Sequence, residues 1–304
     1  MSRAVRYDAF GTADGLYLAE VVDAAPGAGE VAVRVRAAGL NPIDFKLRRG
    51  HMAPPEPVFP RGTGIDLAGT VEAAGPAAAY ADGTRIAVGD EVLGWGEGSV
   101  AERLLVPAAQ LVRRPESVPV EVAGSLAVAG FAALSCLRAV PLGAGDTVLV
   151  GGAAGGVGLV YAQLAVRLGA RVVGTASRGN HELLRSLGVL PVEYGEPLAE
   201  RVEPFGPFSA AMDFHGRETV DAALALGVPR DRVIALANHA AVADLGIAVA
   251  PRLRSAVDLA WLADEVVSGE LRLPIAASFP LDEVVAAFET LESSHAPGKV
   301  VVLP

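Results

Sequence analysis

Hydrophobic and polar positions change rhythm near Pro119. Before it, apolar residues alternate with polar or small ones. In residues 30–37, Val31, Val33 and Val35 fall on one face and Ala32, Arg34 and Arg36 on the other, the period of a half-buried strand. Residues 100–106 repeat that alternation, residues 1–7 show it weakly, and 67–73 and 90–95 are further short apolar runs. Prolines crowd residues 52–60 and predict an extended loop, while 75–89 reads as a hairpin with an Ala-rich insertion. Many short strands with glycine-rich turns predict a partly open barrel.

After Pro119 the period lengthens. Residues 120–140 are rich in Ala and Leu and predict a helix. Strands are then expected at 147–150, 171–175, 189–193, 210–213, 232–236 and 247–249. Helices are expected at 159–168, 181–187, 218–226 and 255–268. Such alternation implies a parallel sheet with helices on both faces. The tail returns to the first style, with 271–279 extended, 281–291 helical and 299–303 a strand. The expected division is a β-barrel domain of residues 1–119 and 269–304, and a doubly wound α/β domain of residues 120–268.

The densest chemistry lies in residues 146–158, DTVLVGGAAGGVG. A β-branched strand stops at paired glycines, and a helix follows, the opening unit of a dinucleotide-binding βαβ. Glycine is needed there for a tight turn, for close approach of a pyrophosphate and for close packing of helix on strand. Amides at the helix start then carry the phosphate charge. Read as G-x-G-x-x-G, the triplet is Ala153, Gly155 and Gly158, with alanine first. Read as G-x-x-G-x-x-G, it is Gly152, Gly155 and Gly158. The cradle candidates are therefore Gly152, Ala153, Ala154, Gly155, Gly156, Val157 and Gly158; a tight turn with no ligand is the other reading. About 20 residues on, where an NAD-preferring protein carries an acid, stands Thr175-Ala176-Ser177-Arg178. A hydroxyl and a cation there suit a 2′-phosphate; Arg178 as a solvated loop charge is the alternative.

Composition narrows the classes. The 304 residues fit two domains, and 52% hydrophobic residues can bury a sizeable core. A net charge of −10 argues against nucleic acid or an anionic membrane surface as a partner. The single cysteine, Cys136, excludes an internal disulfide and a Cys-based zinc site. The five histidines show no ligand spacing. The first residues, MSRAVRYDAFG, have no apolar core of a signal peptide, so a cytoplasmic location is expected. Residues 147–166 carry no charge, but their glycine cluster divides them into strand, turn and helix rather than a membrane span.

Six segments together resemble a known family: AAGLNPIDFKLRRG (37–50), GIDLAGTV (64–71), GDEVLG (89–94), VLVGGAAGGVG (148–158), GTASRGNHELLRSLG (174–188) and GKVVVL (298–303). In this order they are similar to the zinc-independent quinone oxidoreductase branch of the medium-chain dehydrogenase/reductase superfamily, over essentially the whole chain. The resemblance implies a GroES-like β-barrel catalytic domain and a Rossmann domain with the active site in the cleft. It implies NADPH as hydride donor, quinones or other α,β-unsaturated carbonyls as acceptors, no zinc, and a homodimer.

Residue roles follow from that resemblance. Asn41 matches an asparagine beside nicotinamide and substrate, whose amide donates to a carbonyl oxygen; an Asn-Pro turn residue is the plainer reading. Asp44 reads as a helix cap. Phe45 and Trp95 wall the substrate cleft or belong to the core. Asn238, after the strand at 232–236, lies at a substrate cleft or in a plain loop. Thr175, Ser177, Arg178, His181 and Tyr194 fall where relatives hold the 2′-phosphate and adenosine. Lys299 either reaches the cofactor or is a surface cation. Ala132 stands where relatives have threonine, and the tyrosines some relatives carry near Lys46 and Met52 are missing. Those departures leave two rivals to a quinone or enone reductase: a non-catalytic NADPH-binding redox sensor, and an enoyl reductase dedicated to one biosynthetic intermediate.

Overall fold

The computed structural model describes residues 1–52, 56–237, 239–293 and 297–304, apart from the side chains of 239–241. Its contacts separate into two units. The first comprises Met1–Val128, Arg254–Gly269 and Leu273–Pro304, the second Ala129–Leu253 and Glu270–Arg272.

In the first unit, β1 (Ser2–Tyr7) pairs antiparallel with β2 (Tyr17–Val21). The long strand β3 (Glu30–Leu40) organises the rest. It runs into α1 (Pro42–Arg48), and the chain continues through β4 (Arg61–Gly62), β5 (Asp66–Ala74), β6 (Glu91–Trp95), β7 (Arg103–Pro107) and β8 (Leu111–Arg113). The first half of β3 pairs with β7, and most of its length pairs with β5. Two register shifts along β5, at Ala32/Val33 and Val35/Ala37, bend β3 so that one strand serves different neighbours. The alternation of Val31, Val33 and Val35 is real: all three are buried in this unit's core.

Residues 120–140 form two helices rather than one, α2 (Val120–Ala123) and α3 (Leu126–Ala139). Gly39 N–H donates to Gly124 O at 2.6 Å, and a Cβ on Gly124 would lie 2.6 Å from Ala37 O. The helix is interrupted because its backbone is pressed onto β3.

The second unit reads β9 (Thr147–Gly151), α4 (Gly156–Arg167), β10 (Arg171–Thr175), α5 (His181–Ser186), β11 (Leu190–Val192), α6 (Leu198–Val202), β12 (Ala210–Asp213), α7 (Glu218–Ala225), β13 (Val233–Ala235) and α8 (His239–Leu245). All strands are parallel, in the order β11-β10-β9-β12-β13. The order reverses at β9, so the ligand crevice of such a sheet lies beyond the carboxyl end of β9. The strand expected at 247–249 is reduced to one bridge, Ile234 with Ala248. Pro251 follows at once and cannot donate to a ladder.

The helix expected at 255–268 forms as α9 (Ala256–Val267), capped by Ser255, whose Oγ accepts from Asp258 N. It groups with the first unit, not with the parallel sheet, because its buried face, including Leu259 and Leu262, packs near β8. Residues 270–272 return to the second unit. There the Gln163 amide accepts from Arg272 N at 2.8 Å and donates to Arg272 O at 2.9 Å. The chain finishes with β14 (Ile275–Pro280), α10 (Val284–Glu292) and β15 (Lys299–Leu303). β15 lies between β14, to which it is parallel, and the end of β3, to which it is antiparallel. Among the described residues no helix is long and apolar enough to cross a membrane.

Candidate functional site

At the end of β9 the chain turns through Gly152, whose φ of +67° belongs to the left-handed region. Gly155 N–H donates to Gly152 O at 3.0 Å and closes the turn. A Cβ on Gly158 would lie 2.2 Å from Gly152 O, so only glycine lets the first turn of α4 lie this close. Gly155 is different. A Cβ there would meet nothing nearer than 3.4 Å, leaving its outer side open. Gly155 is also the N-cap of α4, and as a glycine it has no side chain to accept from the helix's first amides. The N–H groups of Gly156, Val157 and Gly158 have no carbonyl to meet within the helix. A turn with an open side and an uncapped helix head is the shape and polarity that a pyrophosphate requires.

Ala153 fits without strain because its neighbour yields the space. Its side chain is buried against Gly174 of β10, where a Cβ would lie 2.6 Å from Ala153 Cβ. The alanine in the first G-x-G position is thus matched by a glycine on the adjoining strand. Thr175 anchors the turn from β10: its Oγ1 accepts from Gly152 N at 3.1 Å and its carbonyl from Ala153 N at 3.0 Å. Ala154 is buried beside them.

Beyond β10 and β11 lie the remaining cofactor candidates. Ser177 Oγ accepts from Asn180 Nδ2 at 3.1 Å, and His181 Nε2 lies 3.2 Å from Ala176 O, which fixes a proton there. Arg178 is 84% exposed and its Nε donates to Glu193 Oε2 at 3.0 Å. Tyr194 is half-exposed, with its ring 6.0 Å from that of His215. His215 itself is set by Asp213, whose buried Oδ1 accepts from His215 N at 3.1 Å and Gly216 N at 2.8 Å. His215 Cβ lies 2.9 Å from where a Cβ on Gly152 would stand, so the turn after β12 adjoins the glycine turn. Sequence reasoning did not single out Glu193, Asp213 or His215. Their position at strand carboxyl ends is the signal that finds them.

The first unit holds a second polar cluster. Asn41 ends β3 in extended conformation and caps α1, with Pro42 supplying a helical φ at the first position. Asp44 Oδ2 accepts from Asn41 N at 2.8 Å, as a capping carboxylate does. Asn41 is 3% exposed, and its Nδ2 donates to Asp66 Oδ2 at 2.9 Å and Gly39 O at 3.2 Å. Both amide hydrogens are therefore committed inside the unit. Its Oδ1 accepts from Lys299 Nζ. Lys299 is buried and pairs with Asp66 at 3.2 Å, and Asp66 Oδ1 also accepts from Val128 N at 2.7 Å. The reading of Lys299 as a surface cation is corrected here: it is the countercharge of a buried carboxylate. Burial is the largest influence on Asp44, raising its carboxyl from 3.8 to about 7, with the Asn41 amide opposing and Asp66 adding to the rise.

Trp95 is buried in β6 directly across the register from Asp66, and Phe45 packs half-buried against the core with Arg49 over its ring at 5.2 Å. Asn238 lies outside the described residues. Cys136 is buried, and burial pushes its thiol up to about 12, so it is no nucleophile. Among the described residues no three His, Cys, Asp or Glu side chains are grouped to hold a metal ion.

Comparison with known proteins places this geometry. The model of the alcohol dehydrogenase GroES-like domain matches residues 27–116, and that of the zinc-binding dehydrogenases matches residues 192–302. A quinone oxidoreductase of Pseudomonas aeruginosa is 31% identical over the whole of both chains. The chain belongs to the quinone oxidoreductase-like proteins of the medium-chain dehydrogenase/reductase superfamily. Its first unit contains the GroES-like fold and its second the Rossmann-like parallel sheet. This quinone oxidoreductase-like protein is also 31% identical, over 90% of its length and 72% of the relative's, to the chloroplastic NADPH-dependent alkenal/one oxidoreductase of Arabidopsis thaliana. A mycobacterial structure solved in complex with NADPH superposes with a TM-score of 0.86 at 29% identity, covering 99% of this chain and 100% of that one.

Proposed function

We propose that this protein is an NADPH-dependent oxidoreductase that delivers hydride to a quinone or to the β-carbon of another α,β-unsaturated carbonyl, without zinc. The observation that carries it is the open side of Gly155 above an uncapped α4 head, a cradle that no side chain among the described residues fills. Bound there, NADPH supplies the hydride. The protein's own part is to receive phosphate charge on the amides of Gly156–Val157–Gly158, to hold the 2′-phosphate through Arg178 and Ser177, and to fix the nucleotide's direction with Thr175 beneath the turn. His181 and Tyr194 complete the adenosine end. Asn41 takes a positioning role, holding the β3–α1 junction, because its amide hydrogens already serve Asp66 and Gly39. Phe45, Trp95 and Asn238 are the substrate-side candidates. The proton that completes reduction comes from water.

The test follows nicotinamide absorbance while NADPH meets a panel of quinones and enones. Acceptor-dependent oxidation above the protein-free rate, unchanged after prolonged chelation, is expected. Tight NADPH binding with no turnover across the panel supports the non-catalytic reading instead. That reading draws on the committed amide of Asn41 and on Ala132, which has no hydroxyl to offer. The homodimer implied by relatives is checked by sedimentation equilibrium.

A further inference from the structure

We propose that Glu193 sets how strongly this protein distinguishes 2′-phosphorylated adenosine from adenosine with a free ribose hydroxyl, by competing for Arg178. The inference rests on the NADPH reading above. Arg178 follows β10 and Glu193 follows β11, neighbouring parallel strands whose last register pair is Thr175 with Val192. The two side chains therefore meet over one end of the sheet, with Arg178 Nε donating to Glu193 Oε2 at 3.0 Å. Arg178 is 84% and Glu193 48% exposed, so packing locks neither one.

A 2′-phosphate carries about −1.5 to −2 charge near neutral pH and seeks a guanidinium fork. On this protein one prong of that fork already serves a carboxylate. An arriving phosphate either breaks the Arg178–Glu193 pair or stands beside a second anion, and both weaken its binding. A ribose with a free 2′-hydroxyl meets the opposite situation. A carboxylate is the acceptor that such a hydroxyl uses in NAD-binding sheets. Glu193 has a second oxygen with which to accept it while remaining paired. The nearby donors offset this only in part: His181 Nε2 is engaged by Ala176 O, and Ser177 Oγ, which accepts from Asn180 Nδ2, keeps one neutral hydroxyl proton to give a phosphate. Glu193 thus lowers affinity for one nucleotide class and supports the other.

Calorimetric titration of wild type and Glu193→Gln with adenosine 2′,5′-bisphosphate and with adenosine 5′-monophosphate tests this without relying on turnover. Removing the charge tightens the bisphosphate by about two- to fivefold, the scale of an exposed ion pair, and leaves the monophosphate unchanged or weaker. The gain shrinks as salt is raised. An unchanged ratio of the two affinities, in a protein that still binds NADPH, overturns the role of Glu193 and leaves the NADPH reading standing. Absence of binding by NADPH, NADH and both fragments overturns the two together.

Discussion

Around Asn41 the polar groups face one another; around Gly155 they face outward. In the first cluster Asp66, Lys299 and Asn41 are each at most 3% exposed, and their hydrogen bonds close on protein partners. In the second, backbone amides at the head of α4 have no side-chain cap, and Arg178 and Glu193 stand in solvent. The difference separates two uses of charge. A buried, mutually satisfied cluster fixes geometry and is costly to disturb. An open, under-satisfied rim costs the fold little and is available to a ligand.

The sharpest way to break that contrast is to remove Lys299. Lys299→Met leaves Asp66 as a buried charge without its countercharge and is expected to cost about 3–5 kcal/mol in urea unfolding. Asp66→Asn added to it is expected to restore much of the loss. Equal stability of wild type and Lys299→Met sinks the idea that this cluster organises the first unit.

Asp44 gives the next effect, through pH. Its folded carboxyl titrates at about 7 rather than 3.8, so the folded state holds this proton more tightly than the unfolded state does. Its contribution is complete below about pH 4 and is lost as pH rises to 7, by up to about 4 kcal/mol. Asp44→Asn retains an oxygen for the Asn41 amide but does not titrate. It is expected to flatten that part of the stability–pH curve and to exceed wild type at pH 8, measured by urea midpoints at several pH values.

At the glycine turn, two similar substitutions separate fold from binding. Gly158→Ala forces a Cβ against Gly152 O and is expected to cost about 1–3 kcal/mol of stability. Gly155→Ala places its methyl on the open side. Stability is then expected to stay within about 0.5 kcal/mol, while NADPH binding weakens by about tenfold, or 1.4 kcal/mol. Calorimetry beside thermal melts decides the pair.

The smallest effect belongs to the exposed rim. Arg178→Ala is expected to weaken NADPH by about 1 kcal/mol, to leave NADH nearly unchanged and to leave the melting midpoint alone. Equal weakening of both nucleotides removes Arg178 from the phosphate.

Much of this arrangement is legible in the sequence where local pattern and tertiary need agree. The valine alternation of β3, the glycine turn and the βα rhythm of the second unit each show in a short window, because period and turn chemistry are local properties. The gaps in that reading have a common cause. Helix α9 looks like one more element of the parallel sheet, yet its buried stripe packs with the first unit, and no local signal says which neighbour an amphipathic face will choose. The pairing of Lys299 with Asp66 joins residues far apart in the chain, so a lysine ahead of a valine run reads equally well as a surface cation. Asn41 was expected to offer its amide to a ligand. Only coordinates reveal that Asp66 and Gly39 take both hydrogens.

The seating of β15 against β3 inverts the order of assembly relative to the order of synthesis. As the chain leaves the ribosome, the strands of the first unit emerge early, but one side of the end of β3 stays unpaired and Asp66 has no counterion. The second unit, whose sheet runs from β9 to β13, has all its strands available sooner. Until the residues after Gly298 appear, the first unit therefore lacks the strand that covers this edge of β3.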